Sequence, residues 1–237
     1  MRRSLVAAMS AASVILLVLA ASPVDGGVIA YYTFPASGNF SSSDAEPHST
    51  ASDVVGGGCN VFGINTWSSP VNSSPVLQID HTNPYGTGEA WAFLYGVYSQ
   101  FTVTAGTSYE LNLDNLTFDA MKASSGGSRM WYLYSSVDGF IMGDATRIDC
   151  SVITYYLGDS HGGAMEPFTV DLSASKFDHL SSIMFDVYYS EGGYGASFFD
   201  NVKLNGTVKL IPEPGTLALV GTGAIGGLGC IRRRRTR

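Results

Sequence analysis

Short stretches of the chain alternate apolar and polar residues with a period of two, and clusters of Gly, Ser and Asp break them up. Ile183, Phe185, Val187 and Tyr189 alternate with Met184, Asp186 and Tyr188, the signature of a strand with one face buried. Leu111 and Leu113, then Leu116 and Phe118, form two short alternating runs, and Asp114-Asn115 between them predicts a bulge or turn. Further strands are expected over residues 28–34, 76–81, 90–95, 97–104, 130–135, 150–157, 168–172 and 197–204. Breakers at 124–128, 137–139, 158–163 and 191–195 separate them. Residues 37–55 are polar and Ser-rich and read as a long surface loop with at most a short helical turn. So many short strands with turn signals between them predict an all-β fold, a two-sheet antiparallel sandwich or jelly roll. No internal repeat or interior linker divides the stretch 27–210, which is long enough for one well-cored domain.

The two ends follow a different pattern. Residues 1–20 read as a signal peptide: Arg2 and Arg3 supply the positive start, and an uncharged run, the signal helix, ends in Val14-Ile15-Leu16-Leu17-Val18-Leu19-Ala20. Cleavage is expected within 20–27, with Val18-x-Ala20 the best small-residue site, and it implies export by the Sec machinery. The competing reading is an uncleaved anchor, for which the apolar run is short. At the other end, Ile211-Pro212-Glu213-Pro214 is a stiff, extended stretch, because proline fixes its own φ and restricts the residue before it. Residues 215–231 carry no charge and are just long enough for a single transmembrane helix. Arg232, Arg233, Arg234 and Arg235, with Arg237, form a stop-transfer cluster that resists translocation.

Pro212-Glu213-Pro214, the apolar segment and the terminal arginines, in that order, resemble the PEP-CTERM sorting domain of Gram-negative bacteria. The resemblance covers residues 211–237 and departs from its pattern in one respect: the apolar segment is rich in glycine where leucine is expected. It implies recognition by an exosortase, a membrane-embedded protease, with cleavage near the motif and transfer to the cell surface. Such proteins are often associated with exopolysaccharide and biofilm matrix. Within 27–210, the segments 101–118, 136–140 and 199–206 are similar to the β-sandwich ectodomain common among these proteins. The last of them also looks like the closing strand of carbohydrate-binding jelly rolls.

Charge sharpens the picture. Residues 27–210 hold 6 Lys or Arg against 18 Asp or Glu, a net charge near −12, while the chain as a whole stands at −7 because the ends are basic. A surface that acidic repels phosphate backbones, so no nucleic-acid partner is expected; divalent cations or neutral glycans suit it better. Of the three cysteines, Cys59 and Cys150 lie in the domain and Cys230 in the tail. In an oxidising compartment Cys59 and Cys150 are expected to pair, the alternative being two buried thiols.

No catalytic constellation is visible. The histidines match no metal-ligand spacing and no Gly-x-Ser-x-Gly elbow occurs, so a non-catalytic surface protein is expected and no cofactor is required. The alternative is a glycan-active hydrolase using a pair of the many carboxylates. Asp200, in Phe198-Phe199-Asp200-Asn201-Val202, stands out because an aspartate at this place in the jelly rolls it resembles helps to bind a structural calcium ion; the plainer reading is a bond to loop amides. Tyr188, alternating outward, and Tyr194, in a Gly-rich loop, are the candidate glycan contacts; Trp91 and Trp131 are expected in the core.

Overall fold

In a computed structural model of the chain, the described residues are 26–35, 38–43, 46–58, 61–65, 75–80, 88–157, 159–161, 164–191 and 196–212. The expected signal helix, most of the sorting tail, Cys59 and Tyr194 lie outside them. Twelve strands are described: β1 Gly27–Tyr32, β2 Ser49–Ala51, β3 Val55–Gly57, β4 Val61–Asn65, β5 Val76–Asp80, β6 Tyr98–Ala105, β7 Tyr109–Lys122, β8 Arg129–Ser135, β9 Asp149–Ile153, β10 Glu166–Asp171, β11 Ser182–Glu191 and β12 Ser197–Leu210. One sheet runs β10-β7-β12-β5-β4, with β1 also on β12; the other runs β2-β6-β11-β8-β9, with β3 also on β6. All the pairings between these strands are antiparallel. The two sheets enclose one principal core, and the fold is the expected all-β sandwich.

Alternation decides which side chains enter that core. On β11, Ile183, Phe185, Val187 and Tyr189 point inward against Phe101 and Val103 of β6 and Trp131 and Leu133 of β8. On β7 the inward residues are Leu111 and Leu113, then Leu116, Phe118 and Ala120. The parity changes because Asp114 has no partner on β12: Asn205 pairs with Asn115 and Gly206 with Leu113. The expected bulge is thus real, and it keeps both halves of a 14-residue strand facing one core. A second irregularity lies on β12, where Asp200 pairs with Asp119 and Lys203 with Thr117, so that β12 carries the extra residue there. Between them Asn201 adopts φ 53, a left-handed conformation that asparagine tolerates better than most residues.

Three expectations are corrected. Residues 90–95 do not form a strand but most of a helix, α1, Glu89–Tyr95. The run Ala-Trp-Ala-Phe-Leu-Tyr is apolar throughout, so periodicity cannot tell strand from helix. The local cause is Gly96, whose φ of 61 ends the helix in a left-handed cap, with its N–H directed to the carbonyls of Ala92 and Phe93. Trp91 and Tyr95 then fall one turn apart, ring centroids 5.0 Å from each other. Next, β2 and the start of β3 interrupt what reads as a loop over 37–55. Last, Cys150 is a free, half-buried thiol. Gly57, Tyr98, Tyr188, Tyr132 and Cys150 are successive cross-strand partners in one row, which puts Gly57 four inter-strand spacings from Cys150. At ~4.8 Å each this is roughly 19 Å, and Cys150 carries no bridge.

Candidate functional site

The bulge on β12 builds a polar cluster on the outer face of its sheet. Phe199 points into the core, so Asp200 points the other way, beside its cross-strand partner Asp119. The left-handed turn at Asn201 swings its side-chain amide back over the same face. There Asn201 Nδ2 donates to Asp119 Oδ2 at 2.9 Å, and Tyr31 OH on β1 donates to Asn201 Oδ1 at 2.8 Å. Lys203 Nζ lies 4.6 Å from the centre of the Tyr31 ring. Asp200 itself is only 6% exposed, and its Oδ1 is buried without a hydrogen-bond partner among the described residues.

The electrostatics follow from that geometry. Burial pushes the Asp200 carboxyl up to about 6; the Asn201 backbone amide opposes the shift, and the charge of Asp119 adds to it. The Tyr31 hydroxyl is raised as well, by burial first and then by Asp200 and Asp119. A buried carboxylate oxygen without a donor beside a second carboxylate is unfavourable by itself, and a hard cation would relieve it. Among the described residues no three His, Cys, Asp or Glu side chains gather around a point that could hold a metal. Asp200 and Asp119 could therefore supply only part of the six to eight oxygens that calcium takes, the remainder falling to carbonyls and water.

The candidate glycan contact Tyr188 is corrected. It does alternate outward, but it is 8% exposed because α1 lies across that face. Phe93 of α1 stacks on its ring at 4.0 Å with the planes 10° apart, Tyr98 sits 5.4 Å away, and Tyr134 meets it edge-on at 5.9 Å. Burial, with Asp186 and Tyr98 as neighbours, raises the Tyr188 hydroxyl to about 12. Arg147, reaching Glu89 at 3.0 Å, ties α1 to the strand-connecting loop. Trp131 is buried in the principal core and Trp91 partly so.

Sequence reasoning singled out Asp200 but not its surroundings. Asp119, Asn201, Tyr31 and Lys203 come from three strands far apart in the chain, and only the register unites them. The one local clue was asparagine after aspartate in the middle of a strand pattern, a residue suited to a left-handed bulge.

Comparison with known proteins adds one specific finding. Residues 210–235 match the family model of the PEP-CTERM protein-sorting motif. The chain therefore carries that motif, directly at the end of β12; Pro212 is described and exposed, while Glu213, Pro214 and the arginine cluster lie outside the described residues. No curated protein matches the chain. Among solved structures, the xylan-binding CBM22-1 domain of Paenibacillus barcinonensis Xyn10C is 11% identical, covering 81% of this chain and 99% of its own, with a TM-score of 0.40. The mannan-recognising carbohydrate-binding module TmCBM27 is 12% identical, with coverages of 77% and 99% and a TM-score of 0.37. The K1 cleaved adhesin domain of Porphyromonas gingivalis Lys-gingipain is 16% identical, with coverages of 66% and 96% and a TM-score of 0.37. These likenesses are loose and concern the fold.

Proposed function

We propose that the chain is an exported, non-catalytic envelope protein. An N-terminal leader carries it across the inner membrane, and its tail holds it there. An exosortase-type protease then processes it near Pro212-Glu213-Pro214, and the sandwich is displayed at the cell surface in contact with exopolysaccharide or matrix. The observation that carries this reading is the sorting motif at 210–235, joined without a break to the last strand. The acidic surface favours neutral polymers over nucleic acid as contacts. Against a hydrolase, the facing carboxylates Asp119 and Asp200 leave Asp200 too buried to reach a glycosidic bond. We assign Asp200, with Asp119 and loop oxygens, to a structural calcium ion instead. No described residue is assigned to glycan contact, since Tyr188 is covered, and Tyr194 remains the candidate outside the described residues.

Mass spectrometry of the surface-displayed protein tests the reading. The mature chain is expected to end near residues 212–214. A mature chain ending at Arg237 would reduce the tail to an anchor and overturn it. Replacing Pro212, Glu213 and Pro214 with alanine should leave a full-length, membrane-held precursor, whereas Gly223→Asp in the apolar run should release an unprocessed precursor to the periplasm.

A further inference from the structure

The sorting motif and the fold overlap. The family match begins at Leu210, which is the last residue of β12 and the cross-strand partner of Tyr109 on β7. One residue further, Ile211 N–H donates to Ser108 O at 2.7 Å, so the sheet holds the chain up to the residue before Pro212. The domain and the motif thus have no linker between them. A protease works on a segment whose backbone it can align in its own cleft, and a strand engaged in a sheet has those backbone groups already committed.

Geometry sharpens the conflict. β1 pairs with β12 so that Gly27 lies opposite Gly206, and both chain ends therefore leave from the pole that carries the β6–β7 turn, 106–108. From Ile211 to the apolar run at 215 there are three residues, roughly 10 Å even when extended. While the tail is in the membrane, that pole, with Pro212 at its edge, stands against the bilayer surface.

The end of β12 is nevertheless weakly held. Leu210 is 62% and Ile211 45% exposed, and Lys209 is exposed too. The last side chain of the strand packed on the core is Val208, and inward of it Leu204 is fully buried. Residues 209–211 can leave β7 without uncovering the core, and Pro212, lacking an N–H, cannot prolong the ladder.

We propose that this strand end gates processing: the tail becomes a substrate when residues 209–211 peel from Tyr109 and Ser108, and the pairing there sets the rate. The inference rests on the proposed processing of the tail. It is tested on the full-length chain in its native host by pulse-chase. The bond from Ile211 to Ser108 makes Tyr109 and Leu210 a non-hydrogen-bonded pair, with Cα atoms about 4.5 Å apart and within disulfide reach. In a Cys59→Ser, Cys150→Ser background, Tyr109→Cys with Leu210→Cys should lock the end, and full-length precursor should accumulate in the membrane. The matched Tyr109→Ser, Leu210→Ser chain should be processed at least as fast as wild type. Independently, a flexible Gly/Ser spacer of six residues between Ile211 and Pro212 leaves the fold untouched and should shorten the precursor half-time several-fold. Equal rates for wild type, locked and spaced chains would overturn the gate while leaving processing intact. A wild type that is never cleaved would instead overturn the reading of the tail.

Discussion

Asp200 is the residue whose environment makes the sharpest demands. Its carboxyl rises from 3.8 to about 6 on folding, so the folded state holds the proton more tightly than the unfolded chain does. Without a cation, the contribution of Asp200 to stability is therefore greatest below about pH 4 and is lost as the pH climbs through 6, by at most on the order of 3 kcal/mol. Asp200→Asn, which keeps shape and removes charge, should raise the melting temperature at pH 7 in chelator and change it little at pH 4. Calcium should reverse the order, stabilising the wild type and not the variant, because an ion that binds only the folded state adds to its stability. If chelator leaves the wild-type melting curve at pH 7 where calcium does, the cation assignment fails. At Cys150 the expected result is a free thiol in protein recovered after export, read by thiol counting; a mass shift showing it bridged to Cys59 would overturn that.

At the scale of elements, the long central pair β7–β12 depends on two bulges, one on each strand, that restore the inward face. Gly206 sits at one of them, and a Cβ there would meet the Asn112 carbonyl oxygen at 2.3 Å and Leu113 Cα at 2.9 Å. Backbone cannot swing aside as a side chain can, so Gly206→Ala should destabilise the domain by about 1–3 kcal/mol, measured by denaturant unfolding. A loss below a few tenths of a kcal/mol would show that the strands separate freely there. The same pair shows what the sequence discloses. The change of parity between Leu113 and Leu116 is visible because both flanks alternate cleanly, and it located the Asp114 bulge. The helix α1 was hidden because its six apolar residues alternate with nothing, and its cap depends on the left-handed backbone of Gly96. β2 and β3 were hidden because three residues each, Ser-Thr-Ala and Val-Gly-Gly, bury too little to leave a pattern, and β4 because five residues are too few to set an alternation although Phe62 and Ile64 pack on the core. The cluster around Asp200 joins residues 31, 119 and 200–203, and no local pattern encodes that register.

At the scale of the whole molecule, the described residues form a sandwich whose outer faces are partly covered. Helix α1 covers the tyrosines of one sheet, and the second sheet carries the Asp200 carboxyl buried at a bulge. Among the described residues the candidate contact Tyr188 is covered, so under the proposed function contact with a polymer would fall to loops and edges. The loop 123–128 and residues 154–157 lie at the pole opposite the end of β12, which under the proposed anchoring would face outward. The arrangement of β12 also has a mechanical consequence. A matrix that grips this outer pole while the tail is anchored would pull on β12 along its own axis. The hydrogen bonds to β7 and β1 lie across that axis, so such a load falls on all of them together and the strand resists in shear. A sideways pull at residue 211 loads the same bonds one after another, as a zipper opens. One strand can thus be easy to lift at its tip and hard to drag out lengthwise, which suits the proposed role of a tether that is first cut and afterwards holds.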